Sequence, residues 1–177
     1  TYFTWSGILP ISNNEIEDSR FSNSSKAGEK IGAVIADDAG LEIDFLNGEP
    51  GVLSRRWPSF AEASAGKPGS EKTDQELIDM ALEKLKGVPK EKRTAHLVAI
   101  GAYYDGQNTI IERGSIDGYI SEKQMAECEK GYPFRAIFMV TEFEKLYQDL
   151  TPEEHEKINH RKILYQKLVD KISKLGK

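Results

Sequence analysis

Val34-Ile35-Ala36-Asp37-Asp38-Ala39-Gly40-Leu41-Glu42-Ile43-Asp44 reads as an apolar run that ends at two adjacent carboxylates, with a small residue and a glycine after them. A strand that carries paired aspartates to its tip builds a site for a hard divalent cation, which takes oxygen ligands. A magnesium ion held that way can clamp a phosphate and activate water. The same two residues can equally do no more than open a turn. On their own they leave both readings open.

Working outward, Ala33 to Ala36 predicts a short buried strand, and Leu41 to Leu46 fits either a helix or a strand. Gly48, Pro50 and Gly51 predict a turn. Residues 58 to 73 carry prolines, glycines and small residues and read as an exposed insertion. Gly66-Lys67 lacks the upstream glycine and the following Ser/Thr of a phosphate loop, so that reading is rejected. Thr73-Asp74-Gln75-Glu76 is a capping box. It opens a helix with Leu77, Ile78, Ala81, Leu82 and Leu85 on one face, ending at Gly87.

Ala95 to Tyr104 is β-rich, with a hairpin signal at Asp105-Gly106 and a returning partner at Thr109 to Glu112. Ser115 to Ile120 predicts a third strand of the meander, and Ala136 to Val140 one more. Pro152 starts a terminal helix striped by Ile158, Ile163, Leu164, Leu168 and Ile172. Tyr2-Phe3-Thr4 suggests a strand, and residues 12 to 30 are polar and without period. These elements define a single α/β domain over residues 1–177, with flanking helices on a mixed, largely antiparallel central sheet.

The composition sets the class. The chain has 177 residues, 38% of them hydrophobic and 30% charged, with a net charge of −5. That charge argues against a nucleic-acid partner, which calls for a basic patch. It leaves room for a small anion where Arg55, Arg56, Arg113, Arg135 and Arg161 converge. No apolar stretch is long enough to span a membrane, and the N-terminus lacks the basic stretch and apolar core of a signal peptide, so none is expected. Asn23-Ser24-Ser25 is therefore read as a chance sequon. The one cysteine, Cys128, excludes an internal disulfide and fits a reducing compartment, so a cytoplasmic protein is expected. Glu127 and Glu129 should raise its pKa and leave it unreactive.

The opening stretch continues as Leu46-Asn47-Gly48-Glu49-Pro50-Gly51-Val52-Leu53-Ser54-Arg55-Arg56-Trp57. Together the two pieces resemble the pattern I-A-D-D-S-G-L-x-V-D-x-L-x-G-x-P-G-V-Y-S-A-R-Y of the inosine triphosphate pyrophosphatase family. Gly131-Tyr132-Pro133-Phe134-Arg135-Ala136-Ile137-Phe138 is similar to the family's G-F-G-Y-D-P-I-F, and Asn159-His160-Arg161 to its S-H-R. Blocks agree in order and spacing from about residue 31 onward, and a match this long is far more specific than a lone glycine motif.

The resemblance implies an elongated, two-lobed domain with a nucleotide cleft, a homodimer, and a Mg2+-dependent enzyme. Such an enzyme hydrolyses non-standard purine nucleoside triphosphates to monophosphate and pyrophosphate. It implies that Asp38 is catalytic and ligates the metal, with Asp37 supporting the same site. Phe134, Arg135, His155, His160, Arg161 and Arg56 become the substrate-binding set. Taken alone, a His-Arg pair is a solvated helix end. In the family it reaches the purine, and Arg161 suits the O6 acceptor of hypoxanthine or xanthine.

Three departures from the pattern bear on the site. Arg135 stands for an aspartate, His155 for a lysine, and Ala39 for a serine. The first two touch the base in the family, so base preference is where this chain should differ. Larger departures precede Ile35. The family's T-G-N-x-x-K loop and F-E-E-N-A helix have no counterpart there. Thr1 to Thr4 looks like the first strand, cut where the phosphate loop follows. Ile8-Leu9-Pro10 looks like the second strand, and Phe21 like the start of the glutamate helix. The expectation is a chain written without its N-terminal phosphate-loop segments. A truly contiguous chain of this kind would be inactive, which gives the alternative of a non-catalytic nucleotide-binding or regulatory homologue. A structural domain with an incidental Asp-Asp turn is the third reading.

Overall fold

The computed structural model describes residues 32–59, 62, 64–65 and 69–175. The readings at Tyr2 to Thr4, Ile8 to Pro10, residues 12 to 30 and Gly66-Lys67 fall outside the described residues.

Six strands form one sheet in the order β2-β1-β3-β4-β5-β6. They are β1 (Val34–Ile43), β2 (Glu49–Gly51), β3 (Thr94–Tyr104), β4 (Thr109–Ile120), β5 (Phe138–Val140) and β6 (Lys145–Leu146). Every pairing among them is antiparallel. The α-helices are α1 (Asp74–Lys84), α2 (Pro152–Ile158) and α3 (His160–Ile172).

The expected strand was to end at the paired aspartates. Instead β1 runs straight through them, with Asp37 opposite Gly101 and Asp38 opposite Ile100 on β3. Because both peptides sit in the ladder, the turn reading is overturned. The reversal comes later, where Asn47 and Gly48 both adopt positive φ (53° and 86°) and return the chain into β2. The left-handed region suits glycine and asparagine. Pro50 and Gly51, expected in the turn, lie in that returning strand.

Thr109 to Ile120 was expected as two strands and is one. Arg113 and Gly114 pair with Ile100 and Ala99 and carry the ladder across the supposed gap. The strand expected from Ala136 starts at Phe138, because residues 133–136 form a 3-10 turn. The terminal helix is two helices. Asn159 is extended (ψ 108°) and its Oδ1 accepts the Lys162 N–H, capping α3. The box at Thr73 forms as expected: Thr73 Oγ1 accepts the Glu76 N–H, and the Glu76 carboxylate accepts the Thr73 N–H at 2.7 Å.

One face of the sheet carries two apolar clusters. The larger packs Leu77, Ile78, Ala81 and Leu85 from α1 and its end against Leu41, Ile43, Ile120 and Phe138. The smaller packs Leu164 and Leu168 of α3 on Ile35, Ala99 and Tyr103. Each fully buried leucine contributes roughly 1.5–3 kcal/mol. Between α1 and the sheet, Arg93 is buried and donates to the carbonyls of Leu85, Ile120 and Ser121 at 2.6–2.7 Å. Its guanidinium is thereby satisfied without a carboxylate partner in these bonds.

Gly114 sets where α3 begins. A Cβ there would meet the His160 carbonyl oxygen at 2.0 Å and the Leu164 nitrogen at 2.8 Å. Both are backbone atoms, so the clash has no flexible tip to yield. Gly114→Ala should therefore push the start of α3 off β4 and cost about 1–3 kcal/mol or more of stability. Thermal denaturation of the variant measures this, and an unchanged Tm would mean that α3 sits farther from the sheet.

Candidate active site

Asp37 and Asp38 are neighbours on a strand, so their side chains leave opposite faces of the sheet. Asp37 points to the α3 side, where its side chain is 1% exposed. Its Oδ2 accepts the Arg161 Nε–H at 2.8 Å and its Oδ1 accepts the Tyr165 hydroxyl at 2.8 Å. Arg161 and Tyr165 are four residues apart on α3 and share one helical face. Burial and the Asp37 carboxylate push the Tyr165 phenol up to about 12, so it stays protonated and donates.

Asp38 faces the other way, half-buried, onto a cavity of about 290 Å³ lined by Ala36, Gly40, Val52, Ile100 and Ile111. Its Oδ1 accepts the Ala39 N–H at 2.8 Å. Burial is the largest influence and raises its pKa, the Ala39 bond lowers it, Asp37 raises it, and Arg161 lowers it again. The net effect is upward, which makes Asp38 a stronger base than an ordinary carboxylate.

The remaining basic residues gather around Tyr147. The His155 ring meets it edge-on at 4.8 Å and the His160 ring at 6.4 Å. The Arg135 guanidinium lies 5.3 Å from its centroid and 3.8 Å from that of Tyr132, and donates to Glu129 at 2.7 Å. Tyr147 itself is buried, which raises its phenol pKa. Arg161 borders this cluster and joins it to the aspartates.

Of the residues expected to bind substrate, the structure brings Arg135, His155, His160 and Arg161 together. It places Phe134 elsewhere, in the core and edge-on to Trp57 at 6.4 Å. A purine could stack on Phe134 only if that packing opened, and Tyr132 is the more exposed ring. Arg56 is exposed on a 3-10 turn after β2. Its neighbour Arg55 instead pairs with Asp74, which also accepts the Gly131 N–H. Burial and Asp74 raise the Cys128 thiol more than Glu129 does, so its inertness has a different main cause from the one expected.

Tyr132, Tyr147 and Tyr165 were missed as site residues. For Tyr165 the signal was present, four positions after Arg161. For Tyr147 there was none, because only the fold of the segment before α2 brings it to both histidines.

His160 is 8% exposed, and among the described residues its Nδ1 has no hydrogen-bond partner. Burial, then Arg161 and Arg135, pull its pKa down to about 4. The ring is therefore neutral near pH 7. In the unfolded chain it takes a proton near 6.5. Between these values the unfolded state binds more protons, so stability falls as pH drops from about 6.5 to about 4 and the loss levels off below. The loss should reach at most about 3 kcal/mol. Denaturant titrations at pH 7, 5 and 4 on the wild type and on His160→Gln measure it, and the variant should show a flatter profile.

A six-stranded antiparallel sheet that turns a half-buried aspartate to one face and, on the other, ties a buried aspartate to a helix bordered by a basic, aromatic cluster defines an α/β protein with a candidate site for an anionic ligand. The chain belongs to the Ham1 family, whose profile matches residues 10–171. It is 39% identical over 145 residues to a dITP/XTP pyrophosphatase of Bacillus subtilis, covering 81% of this chain and 66% of that protein. It is 34% identical over 162 residues to one from Thermoanaerobacter pseudethanolicus, covering 91% and 76%. Among solved structures it resembles the Ham1 protein of Staphylococcus aureus, with TM-score 0.65, 29% identity, and 82% and 69% of the two chains covered. A HAM1 protein of Coxiella burnetii is similar, with TM-score 0.64 and 27% identity over 81% and 68%. The chain spans about two thirds of the length of most curated relatives it matches, 66% for the Bacillus subtilis protein and 63% for that of Leuconostoc mesenteroides. No helix among the described residues is long and apolar enough to cross a membrane.

Proposed function

We propose that this protein hydrolyses non-standard purine nucleoside triphosphates to the monophosphate and pyrophosphate. The observation that carries the reading is Asp38, a half-buried carboxylate with raised pKa that faces a cavity and lies within the field of Arg161. The relatives' names as dITP/XTP pyrophosphatases support the substrate class. The same reading carries a cytoplasmic homodimer, as the family resemblance implies, with no nucleic-acid or membrane partner.

Phosphoanhydride hydrolysis needs charge neutralisation and a positioned nucleophile. Asp38 accepts the proton of the attacking water and holds that water toward the α-phosphorus, and the raised pKa suits it to that role. Magnesium, when bound, would supply neutralisation of the phosphate charge and a more acidic water. No group of three His, Cys, Asp or Glu among the described residues could hold a metal by itself. Magnesium is often held by one or two carboxylates while substrate phosphates and water complete its shell. Asp38 would be the protein ligand. Asp37, first expected beside it on the metal, has both oxygens committed to Arg161 and Tyr165, and we assign it to the other side of the sheet. His160, Arg161, His155 and Arg135 form the base-binding side, Tyr132 offers a ring, and we assign Arg56 to the phosphates.

Asp38→Asn keeps the shape and removes the charge. It should lower magnesium-dependent pyrophosphate release by at least about 10²-fold. Retained turnover would remove Asp38 from the chemistry, and absence of release from the wild type across a nucleotide panel would favour a non-catalytic homologue.

Arg135 bears on base choice. Its planar cation, stacked on Tyr132 and tied to Glu129, offers donors to an acceptor-rich base such as xanthine. Arg135→Ala should narrow the kcat/KM preference for xanthosine over adenosine triphosphate, by about 10-fold if one charged hydrogen bond is lost. An unchanged ranking would make Arg135 purely structural.

A further inference from the structure

We propose that Tyr165 is a positioning residue for Arg161, and that it sets how strictly the enzyme requires a purine 6-oxygen. The proposal rests on the reading of Arg161 as the donor to that oxygen. The geometry behind it is the shared carboxylate of Asp37. Each of its oxygens has its own donor, Arg161 Nε on Oδ2 and the Tyr165 hydroxyl on Oδ1, both at 2.8 Å. Both donors come from α3 and the acceptor comes from β1, so the two bonds fix helix to sheet and guanidinium to carboxylate together.

A guanidinium and a carboxylate left to themselves prefer a fork, with two parallel N–H···O bonds. The phenol competes for Oδ1 and biases the pair toward the single Nε–Oδ2 contact. Remove the hydroxyl, and Oδ1 becomes a buried acceptor without this donor, which is costly to leave unmet. Arg161, already on Oδ2, is placed to meet it by forking. Arg161 then rotates toward Asp37 and away from the histidine and tyrosine side where the base is read. The Tyr165 ring is a separate matter. It packs partly buried at the margin of the Ile35, Ala99 and Leu164 cluster. Tyr165→Phe keeps that packing and deletes only the oxygen.

The test compares two substrates that differ at one atom position. One is inosine triphosphate. The other is purine riboside triphosphate, which has hydrogen in place of the 6-oxygen. Steady-state kinetics with magnesium are measured on the whole enzyme for wild type, Tyr165→Phe, Asp37→Asn and Arg161→Ala, with a thermal melt of each. Tyr165→Phe should lower kcat/KM for inosine triphosphate about tenfold, mainly through KM, and that for the analogue less than about twofold. Asp37→Asn should do the same, since the amide retains one acceptor only. Arg161→Ala should abolish the preference between the two substrates.

Equal losses on both substrates in Tyr165→Phe would mean a merely structural hydroxyl and would overturn the proposal. So would an intact preference in Tyr165→Phe beside a lost one in Arg161→Ala. If Arg161→Ala itself keeps the preference, the reading of Arg161 is what fails, and the proposal falls with it by a distinguishable route.

Discussion

A carboxylate taken out of water needs donors, and Asp37 finds both of its own on one helix. Its side chain is almost wholly buried, whereas Arg161 is 34% exposed. Burial of this kind is weak evidence for net stability, because desolvation offsets much of the attraction. What it secures is uniqueness. Arg161 and Tyr165 reach Asp37 only if α3 lies at one height and one rotation on the sheet. Gly114 admits that helix start, and Leu164 and Leu168 seal it. The neighbouring Asp38, one residue along, is aimed at the opposite face by the same pleat. One dipeptide thus serves both faces, and on the proposed reading one carboxylate organises the binding side while the other serves the chemistry.

Much of the fold was legible. The strand through Ile35 and Ala36, the box at Thr73 and the hairpin at Asp105-Gly106 all appear where the pattern puts them. The misreadings share a cause. Asp37-Asp38 and Arg113-Gly114 look like punctuation because polar residues and glycine mark turns. Here they lie inside long strands, where the ladder satisfies the backbone and tertiary partners satisfy the side chains. Gly114 is small because a helix carbonyl sits over it, not because the chain bends. Asn159 misled in the opposite direction. A continuous apolar stripe from Ile158 to Ile172 hides a one-residue break, which only the backbone angles reveal.

For the candidate site, the sequence blocks named residues that the fold brings together, and not how they divide between the two faces of the sheet. His160, Arg161, Arg135 and His155 do meet, and the resemblance named them. Phe134 was named as well, yet Trp57 claims it for the core. Local spacing cannot tell which face of a short 3-10 turn is inward when the turn packs on a distant segment. Tyr147 was invisible for the same reason. It joins histidines eight and thirteen positions later through the path of the chain and not through helical period.

The two bonds at Asp37 also join residues 124 and 128 positions apart. Contacts across such loops become favourable only once the intervening chain has folded, because the closure entropy must be met first. The contacts that hold α3 to β1 depend on that closure, and loosening of α3 undoes them. Local opening of that helix would release Arg161 while the long β1-β3-β4 ladder still held. On the proposed reading, a damaged molecule keeps its sheet and loses its selectivity, so base discrimination would report on the integrity of the fold earlier than bulk secondary structure does.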